Sequence, residues 1–265
     1  SQGWTPLVLD TNGNGVRDAY VEPNQPVDPT KDKRIVAGFY SVAPAPDGSV
    51  WASSLGYPGA VVRLTPGADP TETALAEYYE LPLGPDREPI EGFSPRGMDV
   101  DRNGVAWVAL ASGHLGRFDR THCTRPLNGP EATGQHCPEG WTFYAEPLPQ
   151  LGGVDTPGSA EASYYTWVDW YGVLGLGDNV PINTGNASEG LLVWNEGEWV
   201  VLRVPYPLGF YTKWMDGRID DPDAGWKGRG LWTTISTRAP FHMEGGQGNT
   251  SKVIKFQLRP DPLAN

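Results

Sequence analysis

Apolar and polar residues alternate along short stretches of this chain, nowhere with sustained helical periodicity, and two of those stretches are copies of one another. The first runs from Val42 through Asp47-Gly48 to Trp51-Ala-Ser53, followed by Ala60-Val-Val-Arg63-Leu64; the second runs from Met98 through Asn103-Gly104 to Trp107-Val-Ala109, followed by His114-Leu-Gly-Arg117-Phe118. Period-two alternation around an Asp-Gly or Asn-Gly pair predicts half-buried strands joined by hairpin turns. Each copy therefore reads as strand, turn, aromatic strand, small-residue loop and arginine-bearing strand, a unit a little longer than the ~40–50 residues of a typical propeller blade. Such units cannot bury their faces alone, so the pattern predicts an all-β fold, a β-propeller.

Laid out as four-stranded units, the chain holds about four blades. The first spans 39–82 and the second 93–149. The third is irregular over 164–177 but clear at Leu191–Trp194, a hairpin at Asn195–Glu198, and Trp199–Val204. The fourth starts near Phe210, carries an insertion at 220–229, and continues through 231–236 and 252–258 with no fourth strand after it. The expected organisation is a lead-in segment at 1–38 that completes the propeller, then blades over 39–265. Four blades sit at the lower limit of the ~4–8 that close a ring. The expectation is part of a larger propeller, closed by a missing N-terminal portion or a second chain. Strand directions gather 54–59, 83–97, 112–116, 152–163, 178–190, 205–211 and 237–249 on one face. Because propeller ligands sit over the central axis, that face is the expected binding face.

Composition agrees with strands: 34 Gly, 26 Pro and 11 each of Trp and Tyr favour short strands and tight turns over helices. A net charge of −12 argues against a nucleic-acid partner, which would need clustered cations to release counterions. No apolar run approaches the ~18 residues of a membrane span. Ser1-Gln-Gly-Trp4 lacks the regions of a signal peptide, so the ends are either cytosolic or processed. The two cysteines, Cys123 and Cys137, bracket a Pro-, Gly- and Asn-rich loop. A disulfide is expected there, with a zinc site including His122 and His136 as the rival, although the short Cys-x-x-Cys spacing of zinc ligands is missing. A disulfide points to a periplasmic or secreted protein.

Asp10-Thr-Asn12-Gly-Asn14-Gly15-Val16-Arg-Asp18 places oxygen-bearing side chains at positions 1, 3, 5 and 9 of a loop, glycine at 6 and a backbone carbonyl at 7, the spacing of an EF-hand-type calcium loop. Val21 stands where the bidentate Glu belongs and Glu22 is one residue late, so calcium is expected with Asp10, Asn12, Asn14, Val16, Asp18 and Glu22. The alternative is a plain Asn-Gly turn. On the expected binding face, His114, His242 and Glu244 are candidate catalytic residues; His242 and Glu244, two apart on an extended loop, suit an acid/base pair or ligands of a second divalent cation. Arg96, Tyr211 and Lys213 at the starts of inner strands, with Glu189, are candidate ligand-binding residues, Arg96 as a clamp for carboxylate or phosphate. Arg63, Arg117 and the repeated tryptophans read as blade packing. No nucleophile elbow, phosphate loop, dinucleotide fingerprint or haem-attachment motif is present.

Phe93-Ser-Pro-Arg96-Gly-Met-Asp-Val-Asp-Arg-Asn103-Gly-Val-Ala-Trp107 and Gly116-Arg117-Phe-Asp resemble the repeat of the streptogramin (virginiamycin B) lyase propellers, a match that covers blades one and two. Those lyases linearise a cyclic depsipeptide by elimination, with a channel histidine, acidic residues and a divalent cation. The resemblance implies the fold and, as one function, a metal-assisted lyase or hydrolase; the position often held by His before the repeat's Gly is Arg96 here. The chain also resembles the C-terminal part of larger exported bacterial proteins with a carboxypeptidase-regulatory-like domain, through 10–18, 22–35 and 241–246. That resemblance implies a piece of a longer protein, and an electron-transfer module beside a c-type haem as a further function. A calcium-stabilised scaffold binding a small molecule or a partner protein is the leading expectation.

Overall fold

The computed structural model describes residues 3–206, 209–220, 223, 225, 228–235 and 252–258. Its first sheet contains β1 (Leu7–Leu9), β2 (Tyr20–Val21), β3 (Asp32–Ile35), β4 (Phe39–Pro44), β5 (Val50–Ser54), β6 (Ala60–Thr65) and, after the short helix α1 (Pro70–Thr73), β7 (Leu75–Glu80). The second holds β8 (Pro95–Val100), β9 (Ala106–Leu110), β10 (His114–Phe118) and β11 (Trp141–Ala145); the third β12 (Thr166–Asp169), β13 (Val180–Gly185), β14 (Gly190–Asn195) and β15 (Glu198–Arg203). The last holds β16 (Met215–Arg218), β17 (Gly230–Ile235) and β18 (Lys252–Phe256). From β4 onward each sheet is an antiparallel meander, and the leading strands β4, β8, β12 and β16 lie side by side. This is the all-β propeller expected from the repeat, with three four-stranded blades and, among the described residues, a three-stranded fourth.

The repeat earns its form locally. Gly48 and Gly104, at φ +82° and +83°, take the left-handed position of the two hairpins, a conformation a side chain would disfavour. Asp101 fastens its turn by accepting from the Asn103 and Val105 N–H groups and the Trp107 indole. Arg63 is directly opposite Trp51, and Arg117 directly opposite Trp107. Arg63 pairs with Asp47 and with Glu77 of the neighbouring β7, while Arg117 pairs with Asp119 just past its own strand and reaches the neighbouring β9 through the Trp107 ring, 5.9 Å away.

Alternate residues of each sheet pack between blades. Trp51, Tyr79, Met98, Leu110, Phe118 and Trp141 fill the first interface; Trp107, Leu115 and Val168 with Trp194 and Trp199 fill the second; Ile182, Leu191, Val193, Phe210, Met215 and Leu231 fill the third. Each fully buried large apolar side chain contributes roughly 1.5–3 kcal/mol of hydrophobic stabilisation.

Residues 7–35 pair with the first blade rather than the last. β1 lies parallel to β7 and antiparallel to β3, and Leu7, Leu9, Ile35 and Ala37 pack on Val62, Leu64, Ala76 and Tyr78. Closer to the axis this face stays open, with Phe39 45% and Val42 57% exposed. The Cys123–Cys137 disulfide is formed, with Cα atoms 5.0 Å apart. Both sulfurs are thereby occupied, which removes the zinc alternative; buried His136 stacks on Tyr79 at 5.1 Å instead.

Candidate functional site

Three blades meet at the starts of their inner strands. Arg96 is the second residue of β8, Tyr164 precedes β12 and Lys213 precedes β16. The Arg96 guanidinium lies 4.5 Å from the Tyr164 ring centroid and the Lys213 ammonium 4.7 Å from the same centroid. Nη1 of Arg96 donates to the Ser163 carbonyl at 2.7 Å, and the buried Tyr211 ring sits 5.7 Å from Tyr164. Two cations sharing one aromatic ring are held by its quadrupole, yet neither forms an ion pair with a described carboxylate. Three of the four expected ligand-binding residues, Arg96, Tyr211 and Lys213, therefore come together, and Tyr164 joins them. Glu189, the fourth, lies in the β13–β14 turn at φ +55°, its carbonyl accepting from Val204 N.

Beneath this group lie two buried carboxyls. Glu146 Oε1 accepts from Ser163 Oγ and Asn183 Nδ2, each at 2.6 Å, while its Oε2 has no partner. Burial pushes the Glu146 carboxyl up to about 8, against the opposing pull of those two donors. Glu161 accepts from the N–H groups of Ala162 and Ala187 and from Ser188 Oγ.

The opposite end of the inner strands holds a cavity of about 580 Å³. Asp99, Trp167, Trp170, Tyr171 and Arg218 line it with Pro44. The six-membered ring of Trp167 packs against Gly217 of β16, where a Cβ would sit 2.4 Å from it, so only glycine admits this contact. Asp99 accepts from Val168 N at 2.9 Å and Val100 N at 2.8 Å; burial, helped by Asp216 and Asp101, nevertheless raises its carboxyl to about 6. The hairpin-turn end was not the expected binding face. The aromatic run Trp167-Val-Asp-Trp170-Tyr171 was the signal for it.

His114 opens β10, fully buried. Its Nδ1 is 3.0 Å from Ser112 Oγ and its Nε2 3.6 Å from Glu91 Oε1, too long for a hydrogen bond. Burial lowers it to about 4, so the imidazole is neutral at pH 7, and none of its contacts reaches the Arg96 group. His242 and Glu244 lie outside the described residues.

In the lead-in loop, the Asp10 carboxylate accepts from Gly13 N, Asn14 N and Gly15 N, and the amides of Asn12 and Asn14 turn to Asp18 Oδ2 at 3.2 and 2.6 Å. Glu22, expected to join them, is exposed and pairs with Arg34. Asp32 of β3 stands behind the loop instead; burial, with the charges of Asp10 and Asp18, raises its carboxyl above the usual range.

No protein-family model matches the sequence, and no curated protein matches it. Among solved structures, the chain is similar to virginiamycin B lyase from Staphylococcus aureus at 16% identity and a TM-score of 0.45, covering 88% of this chain and 61% of that one. The catalytically inactive form of that lyase with quinupristin matches to the same extent. A protein of unknown function from Bacteroides caccae matches at 11% identity and a TM-score of 0.40, covering 77% and 60%. The chain thus spans about three fifths of the length of these structures. At such identities the likeness concerns fold alone.

Proposed function

We propose that this chain is a ligand-binding scaffold whose inner-strand end, built from Arg96, Tyr164, Tyr211 and Lys213, anchors the carboxylate or phosphate of a small molecule. The supporting observation is the meeting of two cations from different blades over one tyrosine ring, neither in an ion pair with a described carboxylate although the Arg96 charge is felt by buried Glu146, in a chain of net charge −12. An anion placed there meets a donor fork and an ammonium already held in position by stacking.

Titration of the full chain with inorganic phosphate, at ionic strength matched with chloride, tests this reading. Phosphate should raise the melting temperature where chloride does not, and Lys213→Met should remove most of the rise. An equal response in Lys213→Met, or an equal effect of chloride, would sink it.

The disulfide supports export to an oxidising compartment. The exposed Phe39 and Val42 on β4, Val253 on the last sheet and Trp214 just ahead of it support closure of the ring by further polypeptide. The metal-assisted lyase or hydrolase reading would rest on His242 and Glu244; no observation among the described residues favours it or the electron-transfer reading.

A further inference from the structure

The lead-in loop is already wrapped. Asp10 Oδ1 accepts from Gly13 N at 2.8 Å and Asn14 N at 3.1 Å, and Oδ2 from Gly15 N at 2.8 Å. Asn12 Oδ1 and Asn14 Oδ1 accept from the N–H groups two residues on, at 3.1 and 2.9 Å, which fixes both amide oxygens. The heads of Asn12, Asn14 and Asp18 converge, since both amide nitrogens point at one Asp18 oxygen. These bonds alone describe a turn. They name no ligand.

Asp32 adds the missing observation. It opens β3, is fully buried, and is held behind the loop by Asp32 N donating to the Ala19 carbonyl. Its Oδ2 accepts from Asp18 N at 2.7 Å; no donor lies within hydrogen-bond distance of Oδ1, although the Asn12 N–H also pulls on this carboxyl. A buried carboxylate oxygen without a donor costs the full desolvation of that atom, which a cation would offset. Glu22, the sequence candidate for the closing carboxylate, is committed to Arg34.

We propose that the loop is a calcium site completed from outside by Asp32, with Asp10, Asn12, Asn14, Asp18 and the Val16 carbonyl, and without Glu22. The donor set is all oxygen and mixes carboxylate, amide and carbonyl, the hard mixture calcium prefers. Among the described residues no three His, Cys, Asp or Glu groups form a metal site by themselves. Asp10 also accepts from Asn128 Nδ2 at 3.0 Å and, through its carbonyl, from Gly129 N at 2.7 Å, so the ion would stiffen the contact with the disulfide-bridged segment.

Calorimetric titration of the EGTA-treated full chain with calcium chloride, and melting with and without calcium, provide the test. The wild type should bind one equivalent and melt higher with calcium. Asp32→Asn, which keeps the shape and can still accept from Asp18 N, should weaken binding at least ~10-fold and lose the melting shift. Glu22→Gln, an exposed change, should bind within ~2-fold of wild type. Melting in EGTA reports whether Asp32→Asn folds. The proposal is overturned by unaltered affinity in folded Asp32→Asn, by loss of affinity in Glu22→Gln, or by a wild type that binds no calcium. Phosphate binding at Arg96 and Lys213 is read separately and is unaffected by any of these outcomes.

Discussion

The two ends of the inner strands keep charge in opposite ways. At the Arg96 end, cations lie on an aromatic face and the carboxyls below are buried among side-chain and backbone donors. At the Asp99 end, one carboxyl with two backbone donors stands at the wall of an aromatic hollow. On the proposed function, the first end would select a ligand by charge; the second offers aromatic walls that would select by shape. Stacking holds a cation without neutralising it, and burial raises an acid at both ends, to about 8 for Glu146 and about 6 for Asp99.

The largest expected effect is on the pH dependence of the buried acid. The folded Glu146 carboxyl titrates at about 8 against an ordinary value of 4.5. The native state then holds a proton that the unfolded state has lost, so stability is full below about 4.5, falls as pH rises to about 8, and levels off above it. Denaturant titrations across that window should show a slope approaching ~1.4 kcal/mol per pH unit, flattened in Glu146→Gln. A variant as pH-dependent as wild type would break the contrast. Next, Gly217→Val at the other end should cost ~2–3 kcal/mol by displacing Trp167, visible as a lower urea midpoint. Arg96→Ala should cost ~1–2 kcal/mol by removing the Ser163 bond and the Tyr164 stack, with phosphate binding lost as well. Asp99→Asn should remove a fall in stability that runs from about pH 3.8 to about pH 6, a narrower window than that of Glu146. Lys213→Met should change stability by less than ~0.5 kcal/mol yet remove most of the phosphate response, which separates binding from folding.

Much of this was written locally. The copies around Trp51 and Trp107 announce strands, hairpins and blade stacking, because turn chemistry and period-two burial act over a few residues. Position at the starts of inner strands singles out Arg96 and Lys213, and the structure brings the two together over Tyr164. Tyr164 obeys the same rule and was missed because irregular spacing hid β12. Asp32 and Glu146 carry no local signal: one stands across a Pro-containing segment from the loop it faces, the other is defined by donors from Ser163 and Asn183 on later segments. The lead-in was expected to complete the propeller; its apolar Leu7, Leu9 and Ile35 pack on Val62 and Ala76, a match of faces that sequence distance does not reveal. Candidate His114 turned out to be a core histidine, since exposure depends on how the 158–159 backbone covers it.

The parallel alignment of β1 with β7 has a mechanical consequence. A pull on the chain ahead of Leu7, along the strand, loads the β1 pairings in shear, with Leu7, Val8 and Leu9 matched to Ile35, Arg34 and Lys33 on one side and Leu9 to Ala76 on the other. Bonds loaded in shear share the force, whereas a hairpin peeled from its end yields one pair at a time. On this side the first sheet would therefore yield in shear rather than by peeling.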